Sequence, residues 1–338
     1  VDHLSQAGTT VATAPPRAES LPTETAKRRY EMGDVLVDSW RRSLRARARS
    51  EATIDAYLAD TRHFVDWCEL HDTTLTTAGR RDVEGFLAEA REQGRAAATI
   101  ARRYRSLLQL YKWLDEEDEL EGDNPMAKMS PPKVPVQPPP VITDEDMSKL
   151  LAACETPRQR PGRPRASNPE RATYENKRDK ALIMLLCTTG IRAGELMGMA
   201  VTDLNLNGDT FSVLGKGGRN RIVALMPKAS EAVDKYLRAR RKHPKASLPD
   251  LWLGDKGKLT DSGLRQLLER RCDDAGIERI NPHRFRHTFA HEAKSRGMTD
   301  GDLMAIAGWN SPQMLQRYGA SAAAERARAA HHRLFGKD

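Results

Sequence analysis

Five separated segments carry side chains suited to chemistry on a phosphate. Arg192, in the stretch Thr189 to Leu196, lies where an apolar helix ends and another begins, and a guanidinium there can offer bidentate donors to an anion. Lys216 sits among Gly215, Gly217 and Gly218, at a turn from which a cation can reach a strand backbone. Asn281-Pro282 opens a helix that places His283 and Arg286 one turn apart on one face. Gly308-Trp309-Asn310 ends a helix, and Tyr318 follows on a segment with Met314 and Leu315 at apolar spacing. Taken singly, such residues are more often a surface cation, a turn residue or a packing tyrosine. Their order and spacing give them weight.

These groups need a scaffold, and the hydrophobic periodicity supplies one. Residues 1–33, rich in Ala, Thr, Pro and Glu, have no period and read as a tail. A helical domain is expected over 34–124. Ser50 caps a helix that aligns Ile54, Tyr57, Leu58, Thr61, Phe64, Val65 and Cys68; a second shows Val83, Phe86, Leu87 and Ala90. A third aligns Ile100, Tyr104, Leu107, Leu108, Tyr111 and Leu114, with Arg102, Arg103 and Arg105 assigned to its opposite side. Those arginines suit a solvated face and a phosphate-gripping face alike. The proline-dense stretch 125–142 reads as a semi-rigid linker, and 143–338 as a second domain that begins at a Thr143 cap.

In that domain, residues 156–176 read as a Pro/Arg-rich surface loop carrying Arg158, Arg160, Arg163, Arg165 and Arg171. Helices are expected over 176–187 and from Ala193. Thr210–Leu214 and Arg221–Leu225 form a β-hairpin around the glycine-rich tip. Further helices are expected near 228–241, 260–275, 282–296, 299–307, 311–318 and 321–334. The class is mainly α with a small β-sheet.

The 338 residues suffice for two cores. With 55 Lys+Arg against 47 Asp+Glu, the surface favours a polyanion such as nucleic acid. Cys68, Cys154, Cys187 and Cys272 lie far apart, which fits reduced core thiols and excludes a disulfide framework. The apolar run Ala181–Cys187 is too short to span a bilayer, so an intracellular, cytoplasmic protein is expected.

The ordered segments resemble the tyrosine recombinases, or phage integrases, over about residues 35–334. Thr189 to Leu196 is similar to the family's first-arginine box, and Gly215 to Arg221 to its hairpin lysine segment. His283 to Ala290 resembles the HxLRHTFA box with Phe285 for Leu, and Gly308 to Ser311 the LGHSS box with Trp309 for His. The resemblance implies a helical, SAM-like core-binding domain followed by an α+β catalytic domain. It implies Tyr318 as nucleophile, Arg192 and Arg286 on the non-bridging oxygens, His283 as general base and Lys216 as general acid. Glu195 is expected to orient the pocket, and His287 to support or pack it. Trp309 can donate a hydrogen bond but cannot shuttle a proton, so a donor or packing place is expected.

The boxes carry no acidic metal cluster, and the expected chemistry uses no metal, cofactor or ATP. Expected partners are double-stranded DNA attachment sites, a directionality factor and three further copies of the chain. A helix from Ala320 to Leu334 either docks on a neighbouring copy or packs on its own domain. The first 33 residues do not resemble an arm-binding domain, which points to a simple integrase of a phage or mobile element. Alternatives are a Xer-type chromosome-resolving recombinase, a type IB topoisomerase, and a non-enzymatic DNA-binding protein on the same scaffold.

Overall fold

The computed structural model describes residues 24–135, 140–156, 169–215, 218, 220–309, 315, 327–328, 331–332 and 334–336. They divide into two units at residue 135.

In the first unit four helices enclose one core: α1 (Glu24–Ala46), α2 (Glu51–Leu70), α3 (Arg80–Glu92) and α4 (Ala97–Glu116). The backbone is already helical at Glu24, ten residues before the expected start of order at 34. The Ala, Lys, Arg and Glu of this stretch are good helix formers, and Leu36, Val37, Trp40 and Leu44 bury its far end. Ser50 caps α2 as expected, its hydroxyl accepting from the Thr53 amide at 3.3 Å. Phe64 sits at the centre, edge-on to Phe86 and Tyr111. Met126 belongs to this core and Tyr104 donates to the Met129 carbonyl at 2.7 Å, so the first residues of the expected linker are packed.

The second unit is built around α6 (Pro169–Thr189), preceded by α5 (Asp144–Ala153). Ala181, Leu182, Ile183, Leu185 and Leu186 are fully buried, which is why this run shows no amphipathic stripe. The helix starts seven residues before its expected beginning at 176, so residues 169–176 are helical and not loop. The rest of the expected Pro/Arg-rich loop, 157–168, lies outside the described residues.

A short α7 (Ala193–Gly198) leads into an antiparallel sheet of β1 (Leu204–Asn205), β2 (Thr210–Leu214) and β3 (Asn220–Ala224), in that order. The register sets Phe211 opposite Val223 and Val213 opposite Arg221 on the inward face. Next come α8 (Pro227–Arg240), the two-residue strands β4 (Leu253–Gly254) and β5 (Gly257–Lys258), α9 (Asp261–Ala275), α10 (Pro282–Ser295) and α11 (Asp300–Ala307). The end of the linker belongs here: Ile142 is buried and its amide donates to Thr288 at 2.8 Å.

A buried ionic network ties α5, α6 and α9 together. Asp179 accepts from Arg178 at 2.9 Å and from Arg271 at 2.8 Å, and Arg271 also donates to the Ala153 carbonyl and Asn176. All four cysteines are free. Burial pushes the Cys68 and Cys154 thiols up to about 12 and Cys187 up to about 11. Among the described residues no helix is long and apolar enough to cross a membrane.

Asp179 is the carboxylate that both buried arginines share. Asp179→Ala should lower the stability of the second unit by about 3–5 kcal/mol in urea unfolding, since it removes the carboxylate that both buried arginines bond and leaves Arg271 only the more distant Asp274, at 3.9 Å. A loss within the range of an exposed ion pair would mean that water reaches the network.

Candidate active site

The first-arginine segment is shaped by a turn that only glycine fits. Gly190 has φ +59°, and a Cβ there would lie 2.5 Å from Cδ1 of Phe289 on α10. This close approach brings the α6–α7 junction against α10. Arg192 follows as the N-cap of α7, with extended backbone, and Glu195 reaches back to its amide at 3.1 Å. The same carboxylate accepts from the Arg192 guanidinium at 2.7 Å.

On α10, Asn281 caps the first turn by accepting from the Arg284 amide at 3.0 Å, and Pro282 supplies a preset helical φ. His283 therefore stands in the first turn and Arg286 one turn on. Arg286 is 2% exposed. It donates to the Gly190 carbonyl and to the Ala307 carbonyl, both at 2.7 Å, and lies 4.8 Å above the Trp309 ring. Trp309, itself buried, packs with Ala290, Ala293, Leu303, Ala307 and Leu315. Trp309 thus lies against the face of an arginine.

Arg192 donates to the Gly308 carbonyl at 2.8 Å. Arg192, Glu195, Arg286 and Trp309 thus meet at the carboxyl end of α11. His283 borders them, with Arg286 and Arg192 close enough to act on its charge and His287 4.2 Å away ring to ring. Part of His283 is solvent-exposed, yet burial is the first cause that lowers its pKa, and the charges of Arg286 and Arg192 add to it. The imidazole is accordingly neutral, and able to accept a proton, over more of the pH range than an ordinary histidine. Glu195 shows the converse balance. Burial acts to raise its pKa, but hydrogen bonds from Arg221 and Arg192 outweigh this and hold it below the usual carboxylate range.

Lys216 and Tyr318 lie outside the described residues. The DNA-binding candidates of the first unit separate on α4. Arg105 is exposed, and Arg102, half exposed, pairs with the buried Asp60 at 2.6 Å. Arg103 turns inward, 7% exposed, with its guanidinium 5.2 Å above Phe86. Its assignment to the outer face is therefore corrected: with Ile100, Tyr104 and Leu107 it joins the core side of the helix.

One residue of the cluster was not singled out in the sequence. Arg221 on β3 donates to Glu195 at 3.2 and 2.7 Å and to the Ile306 carbonyl at 2.9 Å. The signal was strand alternation: Val223 faces the core, so Arg221, two residues earlier, does too. A cation on an inward face requires partners.

Residues 140–325 match the phage integrase family, and residues 37–118 match the phage integrase N-terminal SAM-like domain. The tyrosine recombinase XerD of Listeria monocytogenes serotype 4b (strain F2365) is 31% identical over 282 residues, covering 81% of this chain and 89% of that protein. The tyrosine recombinase XerC of Thermodesulfovibrio yellowstonii is 30% identical over 264 residues, covering 76% and 80%. Among solved structures, XerH site-specific recombinase bound to a palindromic difH substrate in a post-cleavage complex gives a TM-score of 0.66 at 20% identity, covering 82% of this chain and 79% of that one. The Tn1549 transposon integrase in complex with transposon right end DNA gives 0.65 at 18% identity, covering 88% and 99%. At these identities the two structures establish the fold alone.

The electrostatics of the cluster can be measured in the free protein. An NMR titration of His283 should have its midpoint below the ordinary value of about 6.5. In Arg192→Gln the midpoint should move up, because one of the two cations opposing imidazolium is gone. A midpoint at or above the ordinary value in the unmodified protein would contradict this geometry.

Proposed function

Because the chain belongs to the phage integrase family and is a tyrosine recombinase, we propose that it cleaves and exchanges DNA strands at specific sites through a 3′-phosphotyrosyl link on Tyr318. The observation that carries the reading is the meeting of Arg192, Arg286, Glu195 and His283 at the end of α11. Attack on a phosphodiester gathers negative charge on the non-bridging oxygens, and preorganised donors are what lower that barrier. Arg192 and Arg286 supply them. Their forks suit phosphate oxygens better than an ammonium does.

In the cleavage step the Tyr318 phenol oxygen bonds to phosphorus and the bond to the 5′-oxygen breaks. The phenolic proton passes to His283, whose depressed pKa favours the receiving form. Lys216 gives a proton to the departing 5′-oxygen, leaving a free 5′-hydroxyl. The phosphotyrosine keeps the energy of the broken bond, so a 5′-hydroxyl from another duplex can reverse the step. That is strand exchange. Trp309, packed beneath Arg286, holds that guanidinium and takes no part in proton transfer.

Four copies on two sites, passing through a Holliday junction, are the assembly we assign. A structural neighbour, a lambda integrase, is a tetramer bound to a Holliday junction. The exposure of Leu334 and Phe335 supports docking of the chain's end on a neighbouring copy, a head-to-tail contact that closes into a ring. In the first unit, Arg105 and Arg102 would grip phosphates.

For the setting, the Pro/Arg-rich insertion and the Trp309 box point to integration of a phage or related element. A second reading, Xer-type resolution, is favoured by curated relatives that are XerD and XerC proteins. A library of nicked duplexes cut from bacterial chromosomal and phage DNA, incubated with the protein and denatured, tests the proposal. Protein-linked 3′ ends should be recovered with the natural chain and lost in Tyr318→Phe. No adduct would sink the mechanism, and relaxation of supercoils without exchange would make the enzyme a topoisomerase. The recovered sequence separates the settings: unlike flanks on the two partner sites mark integration, and one recurrent chromosomal site marks resolution. On that duplex, Arg105→Gln should weaken binding and reduce the salt slope by about one. Arg103→Gln should instead lower the stability of the first unit, and an unchanged salt slope in Arg105→Gln would remove Arg105 from the interface.

A further inference from the structure

Three arginines from three elements end on consecutive carbonyls at the end of α11. Arg221 from β3 donates to Ile306, Arg286 from α10 to Ala307, and Arg192 from the α7 cap to Gly308. These carbonyls carry the negative end of the helix dipole, and cations there are favourable. Two of the three are the arginines assigned to the scissile phosphate. The third differs in how it is tied.

All three nitrogens of the Arg221 guanidinium are engaged: Nε with Ile306, and the two terminal nitrogens with the two oxygens of Glu195. The Arg221 and Glu195 side chains are 14% and 7% exposed, so the pair is largely desolvated. Gly308 leaves room for it. That residue has φ +64°, and a Cβ there would stand 2.8 Å from an Arg221 terminal nitrogen. Glu195, held by Arg221, in turn holds both the amide and the guanidinium of Arg192.

We propose that Arg221 is a positioning residue of the recombinase site, fixing Glu195 to the end of α11 so that Arg192 and the chain leaving that helix keep their places for cleavage. The assignment rests on the reading of Arg192 as a phosphate clamp. Arg192 and Arg286 are the arginines read as phosphate donors, whereas all three nitrogens of Arg221 are engaged with Glu195 and Ile306. Arg221 also stands on β3, whose first residue, Asn220, follows Lys216 by four positions in the sequence. A lysine has the charge for this but not the fork, since a single ammonium does not span both carboxylate oxygens and a carbonyl in one plane.

The test uses a nicked suicide duplex carrying the site recovered by trapping, and reads covalent complex under single-turnover conditions. The unmodified protein must form the adduct; if it does not, the recombinase reading fails, and not this one. Arg221→Ala should slow adduct formation by about 10²-fold, the cost of a misplaced reacting group. Affinity for the same duplex, measured with Tyr318→Phe added, should change by less than about threefold, within the effect of one lost rim contact.

The rate–pH profile gives a readout that a merely structural role would not move. Glu195 faces Arg192 on its own turn and Arg221 from β3, with Asp261 of α9 beside the neighbouring Gly194. With Arg221 gone, burial is opposed by Arg192 alone and the carboxyl protonates at higher pH. Its loss of charge joins the His283 titration that otherwise sets the acid limb, and the limb steepens and shifts upward. Arg221→Lys should fall between the two in both rate and limb. In a Glu195→Gln background, Arg221→Ala should add little further loss, because the two residues act as one unit.

Natural rates in Arg221→Ala overturn the proposal. So does a slower rate with an unmoved acid limb, or losses that add fully in the double variant. If Arg221→Ala does not fold, Arg221→Lys decides, and natural behaviour in both rate and limb overturns it.

Discussion

The carboxyl end of α11 is where the catalytic unit concentrates positive charge, and the surrounding geometry follows from keeping that charge together. Guanidinium groups repel one another at this range, and the helix carbonyls offer only partial charges in return. Glu195 supplies the missing full charge, its two oxygens shared between Arg192 and Arg221. Its own burial is tolerated because both oxygens are satisfied. The two glycines at the site serve the same end. Gly190 lets α10 come close enough for Arg286 to reach across, and Gly308 makes space for Arg221.

Much of this was legible in the sequence because it is local. Caps at Ser50, Thr143 and Asn281 are set by one side chain and one amide three residues on, and each is where the sequence put it. The hairpin strands and α8 to α11 fall within a residue or so of expectation, since their apolar periods are long and unbroken. The family was readable from the order of the boxes, and Arg192, Arg286, Glu195 and Trp309 do meet in space. What escaped depends on partners far along the chain. β4 and β5 are two residues each, too short to show a period.

Arg103, assigned with Arg102 and Arg105 to the outer side of its helix, and Arg221, given no role beyond the hairpin segment, both lie on inward positions. Arg103 is accommodated by the face of Phe86, and Arg221 by Glu195 and a helix end. The buried trio of Arg178, Asp179 and Arg271 repeats the pattern on α6 and α9. In an arginine-rich chain, the position within the helical or strand period says more than the charge does about whether a guanidinium faces water or a partner.

The four thiols have a practical consequence. A thiol reacts through its thiolate, and with Cys187 pushed up to about 11 and Cys68 and Cys154 to about 12, that form is scarce near neutral pH. Burial pushes the Cys272 thiol up as well. The natural chain is therefore a quiet background for maleimide labelling. One cysteine placed on an exposed turn would carry a fluorophore almost alone, with no native cysteine removed, and the labelled chain could be followed as it meets DNA.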